Sequence, residues 1–160
     1  MKGIQDWLDD YGVSHQNPIN KAIHWICVPL IMFSIIGLFM IIPFPILLNG
    51  WLNIASIFLI LALLFYLRLS LAMFVGFIFI GGGMFLGNKA LLEANPVAFS
   101  SPESGHLVLM LSVFIAAWIG QFIGHKIEGA KPSFFKDLQF LLIGPAWLLH
   151  FIYKKIGISY

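Results

Sequence analysis

Long apolar segments constrain the fold of this chain more than any other feature of its sequence. Five of them occur, near residues 23–42, 51–67, 69–86, 106–123 and 138–153. A helix that crosses the hydrocarbon core of a bilayer needs about 20 apolar residues, and about 17 at the short end. The first four segments reach that length. The sequence therefore predicts an all-α, polytopic membrane bundle with about four to five hydrophobic helices.

The composition favours this fold class over a soluble one. Hydrophobic residues make up 60% of the chain and charged residues only 10%, with a mean hydropathy of +0.94. Soluble domains contain about 25% charged residues. A soluble core of this size cannot bury so much apolar surface, so we expect lipid to cover part of it. The net charge is only +2 and no dense basic cluster occurs, so we expect no nucleic-acid partner. The length of 160 residues predicts one integral membrane domain over residues 1–160.

Three of the apolar segments contain glycines or prolines that bear on their packing or their ends. The fifth is marginal in length and is interrupted by Gly144-Pro145, which leaves open whether it crosses fully, bends or forms a re-entrant segment. The third contains the three glycines at 81–83, a pattern typical of close helix packing. Pro43 and Pro45 are predicted to end the first segment.

Residues 1–22 form a polar N-terminal segment. Within it, the stretch from about Ile4 to Tyr11 predicts a short amphipathic helix. Asn17-Pro18 predicts the start of the next helix, because Asn is a strong N-cap and Pro is favoured at the first helical position. The segment lacks the basic-then-apolar start of a secretory signal, so we expect the first apolar segment itself to direct insertion.

The basic residues predict the orientation of the bundle. With five crossings, the N-terminal side carries Lys2, Lys21, Arg68, Lys126, Lys131 and Lys136. The opposite side carries Lys89, Lys154 and Lys155. Because cytoplasmic loops are enriched in Lys and Arg, this asymmetry predicts a cytoplasmic N-terminus.

Three histidines lie at the edges of apolar segments. His15 and His24 flank the start of the first segment, and His125 follows the fourth. All three fall on the predicted cytoplasmic side. Imidazole is the commonest protein ligand for transition metals, so their grouping predicts a metal site at the lipid–water boundary. On one straight helix His15 and His24 would point to opposite faces, but a turn at Asn17-Pro18 lets His15 fold back toward His24.

Polar residues surround these histidines. Asn20 is four residues before His24, and Gln121, His125 and Glu128 share one helical face. The Glu128 carboxylate either binds the metal or orients an imidazole, and the spacing leaves both roles open. A structural alternative is that the histidines are interfacial residues paired with backbone, lipid headgroups or each other.

No catalytic role is predicted for the other two histidines. His106 opens the fourth segment on the opposite side, where we expect an exposed interfacial imidazole. His150 is four residues before Lys154, and it is interpreted either as a helix-end cation or as a ligand.

Two runs of sequence resemble the signatures of a known family. The first is WLDDYGVSHQNPINKAIHWICVP at residues 7–29, and the second is WIGQFIGHKIEGAKP at residues 118–132. They resemble the motifs of membrane proteins related to the yeast 2-hydroxy fatty acid dioxygenase, which is named for the metabolism of phytosphingosine to odd-numbered fatty acids. The resemblance covers nearly the whole chain.

The resemblance implies an Fe(II)-dependent dioxygenase that shortens 2-hydroxy fatty acids by one carbon with O2, an α-oxidation. Carried over to this sequence, His15, His24 and His125 would bind the iron. The residues assigned to outer contacts or to the substrate are Asn17, Asn20, Gln121 and Glu128. His106 and His150 match neither motif. A bacterial inner-membrane homologue is expected, or an endoplasmic reticulum protein if the chain is eukaryotic.

Two other functions remain open from the sequence. One is a non-catalytic transporter or scaffold whose histidines bind protons or a metal, although polar residues deep in the segments are few. The other is a zinc-dependent lipid hydrolase in which Glu128 acts as general base. For the dioxygenase, position alone assigns Lys21 or Lys126 to the substrate carboxylate, and the acyl tail is expected to lie between the helices beside membrane lipid.

Overall fold

The computed structural model describes residues 2–42, 51–97, 100–129 and 140–160. Within these residues the chain is all helical and contains no β-strand. The six helices are α1 (Ile4–Gly12), α2 (Pro18–Met40), α3 (Ile54–Leu69), α4 (Leu71–Ala94), α5 (Pro102–Glu128) and α6 (Ile143–Ile156). Pro43 and Pro45, predicted to end the first segment, lie outside the described residues, as do Lys131 and Lys136.

Three of these helices, α2, α4 and α5, are long and apolar enough to cross a membrane. Helix α3 is equally apolar but only 16 residues long. The predicted fold class, an all-α membrane helical bundle, is confirmed. Helix α1 is the predicted short amphipathic helix, since Ile4, Leu8 and Tyr11 are buried on one face while Asp9 and Asp10 are exposed on the other.

The helices extend beyond the apolar segments at several ends. Helix α2 begins at Pro18, and the Asn17 side chain accepts hydrogen bonds from the backbone N–H groups of Ile19 and Asn20, as the capping pattern predicted. Helix α4 continues to Ala94, where Asn95 ends it in the left-handed conformation at φ 44°. Backbone hydrogen bonding carries a helix past the last apolar residue until a cap ends it.

Helix α2 lies at the centre of the bundle and packs most extensively against the antiparallel helix α5. Glycines of α5 make this approach close. A Cβ at Gly120 would lie 2.6 Å from the Cys27 sulfur, and a Cβ at Gly124 would overlap the Asn20 side-chain oxygen. Small residues at a membrane helix interface allow backbones to approach in this way.

Of the three glycines at 81–83, only one lies at a close helix contact. A Cβ at Gly81 would lie 3.1 Å from the Leu59 side chain, whereas a Cβ at Gly82 or Gly83 would meet nothing within 4 Å. The prediction of close packing is therefore confirmed for Gly81 and wrong for Gly82 and Gly83. A helix turns by about 100° per residue, so three consecutive residues cannot all face one neighbour.

Helix α6 lies beside α1 at the end of the bundle where α2 begins. Just before α6, the Phe140 ring contacts Tyr11 at 5.6 Å between centroids. Near its other end, His150 and Lys154 line a cavity together with Asp9. With only 14 residues, α6 is shorter than a membrane crossing requires. The prediction that places Lys154 and Lys155 at the opposite end of the bundle is wrong.

Gly144-Pro145 does not interrupt α6, because it lies in the first turn of that helix, which begins at Ile143. Proline fits a first turn because the N–H that it lacks has no intrahelical partner there. The correction for Lys154 and Lys155 adds cations to the end of the bundle that carries α1, and so it strengthens the predicted charge asymmetry.

Candidate metal centre

The joint between α1 and α2 brings His15 back over the first helix. The His15 backbone N–H donates to the Gly12 carbonyl at 3.0 Å, and its ring stacks on Tyr11 with centroids 4.1 Å apart and planes 11° apart. The Trp147 ring of α6 lies 5.2 Å from His15. The turn at Asn17-Pro18 therefore folds His15 back against the bundle, as the sequence predicted.

The structure brings the three predicted metal ligands together. One ring nitrogen from each of His15, His24 and His125 lies within 4.8 Å of those of the other two. The ring centroids are 4.3 Å apart for His15 and His24, 5.0 Å for His24 and His125, and 5.2 Å for His15 and His125. All three are buried, with exposed fractions of 2%, 0% and 5%. The cluster joins residues more than 100 positions apart in the sequence.

Backbone carbonyls fix the tautomers of two of the rings. The Nδ1 atom of His15 lies 2.6 Å from the Tyr11 carbonyl oxygen, and that of His24 lies 2.9 Å from the Asn20 carbonyl oxygen. A carbonyl oxygen only accepts, so each Nδ1 carries the proton and each Nε2 keeps a lone pair. The buried Nε2 of His15 has no hydrogen-bond partner within the described residues. A hydrogen bond from Nδ1 to a backbone carbonyl is a usual way in which a histidine that binds a metal through Nε2 is oriented.

Burial keeps the His15 imidazole neutral. The pKa of His15 is lowered to about 4, mainly because burial penalises the charged ring. The hydrogen bond to the Tyr11 carbonyl and the nearby Glu128 charge raise this pKa, while His24 and His125 lower it further. A neutral imidazole at physiological pH is the form that binds a metal ion.

Glu128 ties the end of α5 to the start of α2. Its carboxylate accepts hydrogen bonds from the backbone N–H of Gln16 at 2.7 Å, the backbone N–H of Asn17 at 2.9 Å and the Asn20 side-chain amide at 2.9 Å. A carboxylate at a helix N-terminus is also favoured by the helix dipole. Glu128 thus holds the segment that carries His15, and within the described residues the metal-binding group contains the three histidines alone.

The other polar residues predicted for the site have separate positions. Asn20 is fully buried and also donates to the Ser14 carbonyl at 3.2 Å. Gln121 is buried one turn before His125, in a small cavity that Tyr11 also lines. Lys21 is half-buried and Lys126 is exposed, and their assignment to a substrate carboxylate stays a prediction.

His106 and His150 lie outside the cluster. His106 is only 3% exposed, so the prediction of an exposed interfacial imidazole is wrong. It lies 19 residues before His125 on α5, which is about 28 Å along the helix. His150 is also buried, at 7% exposure, and hydrogen-bonds to the Tyr160 hydroxyl.

A family model described as 2-hydroxy-palmitic acid dioxygenase Mpo1-like matches residues 1–156. The chain belongs to this Mpo1-like family. The resemblance predicted from the two motifs is therefore confirmed, and at the level of the family the description indicates a dioxygenase of a 2-hydroxy fatty acid. No curated protein and no solved structure matches the chain.

The donor atoms of the cluster fit a transition-metal ion such as Fe(II). Imidazole nitrogens bind a metal at about 2.0–2.1 Å, so two ligands of one ion lie about 3–4 Å apart, and the 4.8 Å limit leaves about 1 Å for the rings to close. Imidazole suits iron as well as zinc, copper and nickel. Many non-haem iron oxygenases use two imidazoles and a carboxylate. Here the third candidate donor is an imidazole, and the nearby carboxylate of Glu128 is held by the start of α2.

Two residues beside the cluster were missed by the sequence analysis. Tyr11 supplies both a stacking ring and a backbone carbonyl to His15, and its position four residues earlier was an available signal. Trp147 lies on α6, and its sequence position gave no sign that it would reach His15.

A Gly124→Ala substitution tests how closely the two helices must approach at the cluster. The added Cβ would overlap the Asn20 oxygen and lie 3.4 Å from the His24 ring, and Asn20 cannot move because its amide is held by Ser14 and Glu128. We expect a loss of about 1–3 kcal/mol in unfolding free energy and reduced metal binding. Thermal unfolding in detergent measures this, with Gly83→Ala as the matched control. Equal stability of the two variants would contradict the prediction.

Proposed function

We propose that this protein is an Fe(II)-dependent dioxygenase that shortens 2-hydroxy fatty acids by one carbon. The observation that carries the proposal is the buried cluster of His15, His24 and His125, whose ring nitrogens lie within 4.8 Å of one another. The family description supplies the substrate class. The cluster supplies a donor set that suits iron and leaves coordination positions open.

The overall reaction balances with dioxygen as the only oxidant. A 2-hydroxy acid, RCH(OH)COOH, and O2 give RCOOH, CO2 and water. The bond between the carboxyl carbon and the hydroxyl-bearing carbon breaks, and these two carbons lose four electrons, which reduce O2. Bound Fe(II) would supply the site at which the 2-hydroxy acid and O2 meet.

The protein's own residues prepare this site. The Tyr11 and Asn20 carbonyls orient two rings and keep their Nε2 lone pairs available, and burial excludes water from all three imidazoles. Glu128 fixes the loop that carries His15. A preorganised, dry site of this kind lowers the cost of arranging ligands during the reaction.

The alternatives receive less support from the geometry. A zinc-dependent hydrolase needs a general base beside a metal-bound water, whereas the Glu128 carboxylate is engaged by Gln16, Asn17 and Asn20. A transporter does not account for three buried imidazoles grouped at one end of the bundle. The cytoplasmic orientation of that end stays a prediction from the charges.

The direct test is turnover by the detergent-purified protein after anaerobic reconstitution with Fe(II). With 2-hydroxyhexadecanoate and O2 we expect pentadecanoate, with one O2 consumed for each acid. Hexadecanoate, which lacks the hydroxyl group, is the control and should give neither product nor O2 uptake. No O2 uptake by an iron-loaded protein would overturn the proposal, and ester hydrolysis by a zinc-loaded protein would favour the hydrolase.

A further inference from the structure

An apolar groove runs along the bundle beside the histidine cluster. Its volume is about 150 Å³, and it is lined by side chains of α2, α3, α4 and α6, among them Met32, Ala62, Phe77 and Leu148. The Tyr66 hydroxyl in its lining donates to the Leu142 carbonyl at 2.6 Å. The groove therefore offers hydrophobic surface, and its tyrosine hydroxyl is already paired.

A smaller cavity lies between this groove and residues that neighbour the histidines. It has a volume of about 20 Å³, and it shares Val28 and Pro145 with the groove. Its other lining residues include Tyr11, which stacks on His15, and Gln121, which precedes His125 by one helical turn. Val28, which lines both cavities, follows His24 by one helical turn, so the groove lies close to the cluster.

A third cavity, between α3 and α4, adjoins the groove on the other side. This cavity has a volume of about 460 Å³ and shares Leu59, Leu63, Phe77 and Gly81 with the groove. Trp51, just before α3, lines its distal part. The three cavities share lining residues in series and mark a path from Tyr11 and Gln121, beside the histidines, toward Trp51 near the other end of the bundle.

We propose that this path, the acyl path, holds the hydrocarbon tail of the 2-hydroxy fatty acid while its polar head lies at the histidine cluster. This inference rests on the proposed function and adds the location of the tail and the residues that set chain-length preference. Each buried methylene removes apolar surface from water, so the affinity for the acid increases with chain length until the path is full.

Proximity to the cluster distinguishes this occupant from a membrane lipid. A lipid that merely covers the groove would have no need of the small cavity that reaches Tyr11 and Gln121. It would also make no difference to turnover of acids of different length. Chain-length selectivity is therefore the property to measure.

Gly82 and Gly83 provide a matched pair of sites on α4. Both are exposed, and a Cβ at either would meet nothing within 4 Å. Gly82 lines the distal cavity of the acyl path, whereas Gly83 does not line it. A Phe at 82 therefore fills the distal path, while a Phe at 83 makes the same chemical change beside it.

The experiment compares Gly82→Phe and Gly83→Phe with the wild type on 2-hydroxyhexadecanoate and 2-hydroxydecanoate. We expect Gly82→Phe to lower kcat/KM for the longer acid by about tenfold, the effect of a few lost hydrophobic contacts, and to leave the shorter acid unchanged. Gly83→Phe should match the wild type on both. If Gly82→Phe behaves like Gly83→Phe at both lengths, the acyl path is overturned while the oxygenase stands.

A binding measurement separates this result from failure of the proposed function. Native mass spectrometry of the anaerobic protein gives the Kd of each acid without turnover, and the same selectivity is expected there. If the wild type turns over neither acid, the proposed function fails and the Kd comparison alone decides the acyl path. Gly82→Leu serves as a smaller replacement if Gly82→Phe does not fold, and a weaker loss for the longer acid is expected from it.

Discussion

Replacing His24 with Ala is expected to abolish both iron binding and dioxygenase activity. His24 is fully buried, its ring is oriented by the Asn20 carbonyl, and its centroid lies 4.3 Å from that of His15 and 5.0 Å from that of His125. Loss of outer hydrogen-bond partners alone lowers metal affinity by about 10–100-fold, so loss of a donor should exceed that. His15→Ala and His125→Ala should behave in the same way.

The measurement is metal content by elemental analysis after anaerobic Fe(II) reconstitution, together with O2 uptake. His106→Ala is the matched control, because it removes an equally buried histidine from α5 at a distance from the cluster. It should keep near-stoichiometric iron. If His24→Ala retains iron as His106→Ala does, the cluster is structural and the oxygenase proposal fails.

Replacing Glu128 with Ala is expected to lower iron affinity by about 10–100-fold while leaving the three imidazoles in place. The carboxylate holds the backbone of Gln16 and Asn17 and the amide of Asn20. Without it the segment that carries His15 loses its attachment to α5. In Glu128→Gln one side-chain oxygen remains as an acceptor, while the other is replaced by an NH2 group that faces N–H donors. We therefore expect an iron affinity between those of the wild type and Glu128→Ala.

Competition of Fe(II) with a chelator under anaerobic conditions measures this affinity. Glu103→Ala is the control, because Glu103 is exposed in the first turn of the same helix and should have no effect. If Glu128 bound the iron directly, Glu128→Ala would lose iron binding as completely as His24→Ala. Unchanged affinity in Glu128→Ala would show that the attachment of α2 to α5 does not position His15.

Local rules in the sequence predicted much of the candidate site. Three imidazoles among apolar residues stood out, because polar groups near a membrane are costly and are retained for a purpose. The N-cap at Asn17 and the shared face of Gln121 and His125 follow from rules that act within four residues. These rules did not decide whether Glu128 binds the metal or positions other residues, because its hydrogen-bond partners lie about 110 residues away in the sequence.

The errors concern contacts between distant elements. His106 was expected to be exposed, yet it is buried, because burial at a helix end depends on which other segments cover it. Lys154 and Lys155 were placed at the wrong end of the bundle, because a short apolar helix can either cross or lie beside α1. Consecutive glycines at 81–83 were treated alike, although only Gly81 faces a neighbouring helix.

The sequence by itself determined that this chain forms apolar helices with a polar start, and that three histidines lie at their edges. Apolar periodicity, proline and capping residues act locally, so they can be evaluated without the fold. The tertiary structure alone decided that the three rings meet, that Glu128 holds α2, and that apolar cavities lie between the helices near the cluster. These depend on which helix faces meet, and that is set by packing between residues far apart in the chain.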